Sequence, residues 1–180
     1  MSWFNSDGLY IKFGLEESKV AQGGEINNYD NLHQYEFTID YTEVLSATNA
    51  IIDGGSSVGP YGIILPKGLR VEEVETVVQS GFTSSGTIGS STMQIGLIST
   101  ADRTTALSAT ALLTTAATGT VLGLATVGTK TVIRVGSTGA GAYLGTTLAA
   151  NGIVAAANSA HASHPYTAGK LLVRVRGFYP

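Results

Sequence analysis

Residues 61–100 constrain the fold more than any other stretch, because they read as three strands joined by turns, with no room for a helix. Residues 63–65 form a short apolar run that ends at the Pro66-Lys67-Gly68 turn. Proline fixes φ at a value suited to a turn, and glycine relieves the steric strain of the turn backbone. Residues 69–78 form a long, valine-rich strand. Residues 93–97 then show strict alternation, with Met93, Ile95 and Leu97 on one face. The stretch therefore indicates the middle of an antiparallel β domain.

The alternation in the long strand slips at Glu72-Glu73. Val71 and the apolar residue before it share one face, whereas Val74 and the apolar positions after it fall on the opposite face. Since side chains on a strand alternate with a period of two, this slip predicts either a β-bulge at Glu72-Glu73 or a strand that changes its buried face.

Further candidate strands lie on both sides of this stretch. Residues 35–41 alternate most cleanly, and residues 9–13, 130–135 and 170–179 show the same period. Turn signals separate the strands. We therefore predict an all-β fold, an antiparallel, jelly-roll-like β-sandwich with long Gly/Ser/Thr loops and at most one short helix. An N-terminal strand or arm with a loop occupies residues 1–34, and the sandwich occupies residues 35–180.

Four segments give weaker predictions. In residues 101–128, Asp102 is placed to cap a short helix, although the many threonines oppose one. A short helix or an irregular excursion is expected there. Residues 81–91 are expected to form a polar loop and residues 136–145 a Gly-rich turn. Residues 153–160 are apolar but too short to classify by period.

Composition limits the possible partners. Charged residues make up 13% of the chain, whereas about 25% is usual for a soluble domain. The net charge is −3, with scattered Lys and Arg, so we predict no nucleic-acid partner. No apolar stretch approaches a membrane span, no secretory signal is visible, and there is no cysteine. These features fit assembly in a reducing cytoplasm, with a neutral surface suited to packing against other subunits.

No catalytic or cofactor template is complete. Gly139-Ala140-Gly141 resembles the start of a dinucleotide fingerprint, but Leu144 occupies the position of the third glycine. No Walker-type motif and no Gly-x-Ser-x-Gly elbow occurs. We therefore predict no catalytic residue and no cofactor, and a protein that is not an enzyme.

Two clusters raise the question of a metal site. His161 and His164 are three residues apart, and His33 is the only other histidine, but Pro165 biases His164 away from a helix, so a polar loop is the expectation. The acids Glu72, Glu73 and Glu75 are compatible with calcium or paired carboxylates. On a strand Glu73 and Glu75 point the same way, so a solvated face is the simpler interpretation. No metal site is predicted.

Several motifs together resemble a known family. They are the run LPKGLRVEEVETVV, the pair Gly81-Phe82, the run MQIGLIS, the segment 101–105 and the C-terminal segment 166–179. Their order is similar to that in head decoration or capsid cement proteins of tailed bacteriophages. The resemblance covers about residues 63–103 and 167–179. It implies a virion protein, made in the host cytoplasm, that binds the outer capsid surface as a homotrimer at or near threefold positions. Such a protein stabilises the head by bridging neighbouring major capsid protein subunits.

Aromatic residues near the two ends are the candidate interface anchors, because aromatic side chains are enriched at interfaces. They are Trp3, Phe4, Tyr10, Phe178 and Tyr179. For the N-terminal members, an edge strand that plugs the core and an arm that reaches a neighbouring subunit are both open. A phage fibre, spike or lectin-like receptor-binding module is the alternative function. A cupin-like metalloprotein is a third possibility, but it needs a His/Glu set of metal ligands, which the three scattered histidines supply poorly.

Overall fold

The structure is a computed structural model that describes residues 32–44, 63–101 and 105–180 with their side chains. It also describes the backbone of three strands nearer the N-terminus. The strands in chain order are β1 Ser2–Phe4, β2 Tyr10–Phe13, β3 Gly24–Asn27, β4 Leu32–Asp40, β5 Ile64–Leu65, β6 Arg70–Ser84, β7 Gln94–Ser99, β8 Ala106–Leu113, β9 Lys130–Arg134, β10 Gly152–Ala157 and β11 Tyr166–Phe178. One α-helical turn, α1, spans Gly119–Leu122.

The strands form two antiparallel sheets. The large sheet has the order β1-β2-β3-β4-β11-β6-β9, and the small sheet has the order β5-β10-β7-β8. The predicted all-β sandwich with at most one short helix is confirmed. The predicted boundary between residues 34 and 35 lies inside β4, and β1–β3 extend the sheet to which β4 belongs.

The last eight strands pair in a nested series. β7 pairs with β8, β6 with β9, β5 with β10 and β4 with β11, and every pair is antiparallel. The series therefore has the connectivity of one long hairpin whose two arms are β4–β7 and β8–β11. Folding this hairpin over itself places β4, β6, β9 and β11 in one sheet and the other four strands in the facing sheet.

Alternating positions of β4, β6 and β11 fill the space between the sheets. Phe37 of β4, Val74 of β6 and Val173 of β11 are fully buried, and residues between them point to the outer face. The small sheet contributes Ile95, Leu97 and Val154 from its inner face, and these side chains share the same apolar core. Burial of this apolar surface is the main favourable term in the stability of such a sandwich.

The two central strands of the small sheet, β7 and β10, are buried on both faces along nearly their whole length. Gln94 and Gly96 point away from the main core, as the alternation predicts, yet both are buried. A second apolar cluster lies on that side of the sheet, formed by Ile98, Ile153, Ala155 and Ala157. The segment 153–160, which periodicity did not classify, thus contains β10, and its small apolar residues are explained by burial on both sides.

The predicted β-bulge is confirmed. Arg176 pairs with Glu73, but the next residue of β11, Gly177, pairs with Val71, so Glu72 is the extra residue. The bulge restores the phase of β6, and Val71 and Val74 are therefore both buried in the core. The alternative, a change of buried face, is wrong. Gly177 is required for the close approach, because a Cβ atom there would lie 2.3 Å from the Arg70 carbonyl oxygen.

The predicted polar loop over residues 81–91 is wrong in its first part. β6 continues to Ser84, which pairs with Tyr166 of β11. Phe82 is buried in the core, where its ring contacts that of Tyr166 edge-on at 5.0 Å between centroids. The polar Ser and Thr residues around Phe82 hid the strand, because they occupy its exposed positions.

The expected helix or irregular excursion in residues 101–128 is wrong for its central part. Residues Ala106–Leu113 form β8, an edge strand of the small sheet, and Leu112 and Leu113 are buried. Thr110 is the one β-branched residue of β8, and its Ala and Leu neighbours favour a helix by propensity, so pairing with β7 determines the strand. Asp102, the proposed cap, lies outside the described residues. A short helical turn does follow, at α1.

The predicted turn region over residues 136–145 is confirmed, and it closes one side of the sandwich. Tyr143 donates its backbone N–H to the carbonyl of Ala111 in β8. Two residues later, Gly145 donates to the carbonyl of Val71 in β6. The segment thus connects the edge of the small sheet to the large sheet. Gly145 has a φ of +76°, a conformation that favours glycine.

We predict that Phe82→Ala lowers the free energy of unfolding by about 3–5 kcal/mol, the usual result of truncating a buried phenylalanine. Val135→Ala is the control, because Val135 is 61% exposed, and it should change stability by less than about 0.5 kcal/mol. Urea unfolding of both variants measures the effect. Equal midpoints for the two variants would place Phe82 in a loop after all.

Candidate functional site on the outer face of the large sheet

Paired charges cross four strands on the outer face of the large sheet. We call this group the charged ladder, and its members are Gln34 and Glu36 of β4, Arg174 and Arg176 of β11, Glu73 and Glu75 of β6, and Lys130 and Arg134 of β9. Strand register produces it. Glu36 and Glu75 both lie opposite Arg174, and Gln34 and Glu73 both lie opposite Arg176. Cross-strand pairs of opposite charge stabilise such a sheet.

The first row of the ladder is built around Arg174. Its Nε donates to Glu36 Oε2 at 2.6 Å, and its Nη1 donates to Glu75 Oε1 at 2.7 Å. The other oxygen of Glu75, Oε2, lies 2.8 Å from Lys130 Nζ and 3.1 Å from Arg176 Nη1. Glu75 therefore contacts three cations at once.

The second row is built around Arg176. Its Nε donates to Gln34 Oε1 at 2.8 Å, and its Nη1 donates to Glu73 Oε1. Arg134 approaches Glu73 from the other side, with both Nε and Nη2 at 2.9 Å from Oε2. Two-point contacts of this kind fix the orientation of a guanidinium group as well as its position.

The glutamates of the ladder are much less exposed than the cations of β9. The side chains of Glu75 and Glu73 are 1% and 13% exposed, whereas those of Lys130 and Arg134 are 57% and 70% exposed. Burial alone would raise the pKa of Glu75, but its contacts with Lys130 and Arg174 and the charge of Arg176 outweigh burial and lower that pKa to about 2. The pKa of Glu73 is likewise lowered: burial opposes the change, and hydrogen bonds from Arg176 and Arg134 dominate.

The expectation of a solvated face for Glu72, Glu73 and Glu75 is therefore wrong for the last two. Glu73 and Glu75 do point the same way, as predicted, but neighbouring arginines cover them. Glu72, the bulge residue, is partly exposed and pairs with Arg70 at 2.7 Å. Within residues 32–44, 63–101 and 105–180, no three His, Asp or Glu side chains are grouped to hold a metal ion.

An apolar row borders the ladder at one end. Phe178 of β11 lies between Leu32 and Arg70 in the register, and the Arg70 guanidinium carbon sits 5.8 Å from the centre of the Phe178 ring. Leu32 is 42% exposed, and Phe178 is half-buried. Phe178, one of the predicted interface anchors, thus lies on the outer face next to the ladder.

The other predicted anchors lie elsewhere. Tyr179 packs against the main core, and its ring meets that of His33 edge-on at 4.7 Å. Trp3 and Phe4 belong to β1 and Tyr10 to β2, and β1 pairs with β2 of the same chain. The side chains of these three residues lie outside the described part of the structure, so their role as anchors remains a prediction.

The His161 and His164 segment is the polar loop that the sequence predicts, and Asn158 organises it. Asn158 is fully buried, and its Oδ1 accepts hydrogen bonds from Thr92 and from the backbone N–H of Ala160. Its Nδ2 donates to the His164 carbonyl at 2.8 Å. The sequence analysis missed this residue, since a single Asn in a loop carries no signal of burial.

The ladder was also missed, although its signal is present. Arg174 and Arg176 alternate with valines on one predicted strand, and Glu73 and Glu75 alternate with Val74 on another. Opposite charges at matching intervals on two strands indicate neighbours in a sheet. The pairing itself could not be read, because β6 and β11 are far apart in sequence.

Comparisons with protein-family models, with curated proteins and with solved structures give no significant match. Among the described residues, no helix has the length and apolar character needed to cross a membrane. The assignment of function therefore rests on the residues and the geometry described above.

We predict that Glu75→Gln lowers stability at pH 7 by roughly 3 kcal/mol, because one pKa unit corresponds to about 1.4 kcal/mol and the pKa falls from 4.5 to about 2 on folding. A lowered pKa stabilises the folded state above the unfolded-state value. This stabilisation is lost as the pH falls from 4.5 towards 2. Urea unfolding should thus show that the difference in free energy of unfolding between wild type and Glu75→Gln shrinks as the pH falls over that range.

Glu72→Gln is the matched control for this prediction. Glu72 is a neighbour on the same strand and has one partner, and an exposed pair of this kind contributes no more than about 1 kcal/mol. If the difference in free energy of unfolding between wild type and Glu75→Gln stays constant down to pH 2.5, the role assigned to Glu75 is contradicted.

We predict that Asn158→Ala lowers the free energy of unfolding by about 3 kcal/mol, because it leaves the backbone N–H groups of Thr92 and Ala160 without their acceptor. Asn151→Ala is the control. Asn151 is exposed and accepts one hydrogen bond, from the Lys67 N–H at 2.7 Å, so its loss should cost at most about 1 kcal/mol. Thermal unfolding compares the two, and similar melting temperatures would contradict the organising role of Asn158.

Proposed function

We propose that this protein is a structural component of a phage particle that binds the outer capsid surface and stabilises the head. The observation that carries the proposal is the nested pairing of β4–β11, β5–β10, β6–β9 and β7–β8. A hairpin folded over itself in this way supports a jelly-roll arrangement, an architecture used by viral capsid domains among others. It supports the resemblance of the 63–103 and 167–179 segments to head decoration proteins.

The activity proposed is mechanical, so it requires a rigid body with an accessible face. Both sheets contribute to one buried core, and the turn segment 139–148 ties their edges together. Packaged DNA pushes a capsid outward, and a protein that bridges neighbouring major capsid protein subunits adds buried contacts across the joints. Many modest contacts engaged together resist rupture through avidity.

The proposal includes self-association as a homotrimer, with each subunit contacting major capsid protein. A threefold assembly multiplies the number of contacts at each site, so a weak single contact becomes a stable attachment. The site of action is the virion. No step in this function requires a catalytic group, a metal or a nucleic acid.

We predict that the purified protein binds saturably to heads of the phage whose genome carries the gene, at a fixed ratio to major capsid protein, and raises the temperature at which the heads release DNA. Co-sedimentation gives the ratio, electron microscopy locates the added density, and nuclease access to DNA reports rupture.

Heads that bind no protein, or density confined to a tail or a vertex, would contradict this proposal. Density at a tail would favour the fibre or receptor-binding alternative. An ordered lattice of density between capsomers is the result expected from the proposal.

A further inference from the structure

On its β6–β9 side the charged ladder presents an outer layer of cations over buried acids, whereas Glu36 on the β4 side is 36% exposed. Lys130 and Arg134 stand 57% and 70% exposed above Glu75 and Glu73, which are 1% and 13% exposed. The carboxylates neutralise much of the charge but are themselves hidden. A partner that approaches the β9 side of this face therefore meets ammonium and guanidinium groups first.

The arginines of β11 are held in place with hydrogen-bonding capacity to spare. Arg174 and Arg176 each use Nε and Nη1 within the ladder. Among the contacts of the described residues, neither uses its Nη2. A guanidinium group that is already ordered loses little side-chain entropy when it binds an acceptor, so these groups are prepared to bind.

The apolar row at the end of the ladder adds contact area of a different kind. Leu32 is well exposed and Phe178 is half-buried beside Arg70. Arginines next to a partly exposed aromatic ring are typical of the residues that contribute most of the energy at protein interfaces.

We propose that the charged ladder, with the Leu32–Phe178–Arg70 row at its end, is a docking face for a carboxylate-bearing surface of a partner protein. This inference rests on the proposed function, in which that partner is the capsid lattice. Carboxylates fit because they can accept hydrogen bonds from the free Nη2 groups and pair with Lys130 and Arg134 at the same time. The Leu32–Phe178–Arg70 row fits an apolar border around the acidic patch of the partner.

Other occupants fit the face less well. A second copy docked with its β9 against β9 would bring Lys130 and Arg134 of both copies together, and like charges in apposition oppose binding. Nucleic acid requires a broad basic patch, whereas this chain has a net charge of −3 and Lys130 and Arg134 are the two well-exposed cations of the ladder.

The test removes the exposed cations and spares the buried pairs. In the double variant Lys130→Gln/Arg134→Gln, Glu75 keeps Arg174 and Arg176, and Glu73 keeps Arg176, so the fold is preserved. Lys67→Gln is the control, since it removes one exposed cation from the 66–68 turn, away from the ladder. Urea unfolding verifies that all variants are folded.

The first measurement is binding of each protein to the phage heads at several salt concentrations. We expect the double variant to bind about tenfold more weakly than wild type and with a smaller salt dependence, whereas Lys67→Gln binds like wild type. If wild type and double variant bind heads equally, the docking face is wrong and the proposed function stands.

The second measurement does not depend on heads. Poly-L-glutamate serves as the acidic probe. If poly-L-glutamate retains wild type more strongly than the double variant, the docking face is supported even if the protein binds no heads. Equal retention overturns it. Binding of duplex DNA by wild type but not by the double variant would overturn the docking face in favour of nucleic acid. A wild-type dimer in sedimentation that is absent in the double variant would overturn it in favour of a second copy.

Discussion

The pairing of β11 with both β4 and β6 is the interaction on which the rest of the structure depends. β11 lies in the interior of the large sheet, with β4 on one side and β6 on the other. Its inward residues, Val173 and Val175, are buried in the core, and its outward residues, Arg174 and Arg176, hold the charged ladder. A single strand thus joins the apolar interior to the charged exterior.

The two sides of this strand obey different physical rules. On the inside, stabilisation follows the apolar area removed from water and is insensitive to pH. On the outside, buried carboxylates are kept ionised by cations held at fixed distances, so removal of all the cationic partners of a Glu would leave a buried charge uncompensated. The ladder is therefore both a stabilising feature and a rigid pattern of charge, and a face that is ordered before binding suits a protein whose proposed role is attachment.

Much of the fold could be predicted from periodicity, and the reasons for the failures are physical. Periodicity predicted three strands and one bulge correctly, because these strands have one solvent-exposed face and one buried face. They are the strands at residues 35–41, 130–135 and 170–179 and the bulge at Glu72. β10 was not classified because it is buried on both sides, and β8 was taken for a helix or an excursion because its small residues, such as Ala106, Ser108 and Ala109, show no alternation. The ladder was missed for another reason: it depends on the pairing of Glu75 with Arg174, which no local pattern contains.

The nested pairing also orders the strand pairs by their distance along the chain. β7 and β8 are neighbours in sequence, β6 and β9 are farther apart, and β4 and β11 are separated by almost the whole sandwich. The loop-closure entropy of forming each pair rises in the same order. The topology thus favours assembly from the β7–β8 hairpin outwards, with the large sheet completed only when the C-terminal strand arrives. Such non-local pairing makes folding slow, and the charged ladder can form only after the ribosome has released β11, the last strand of this series.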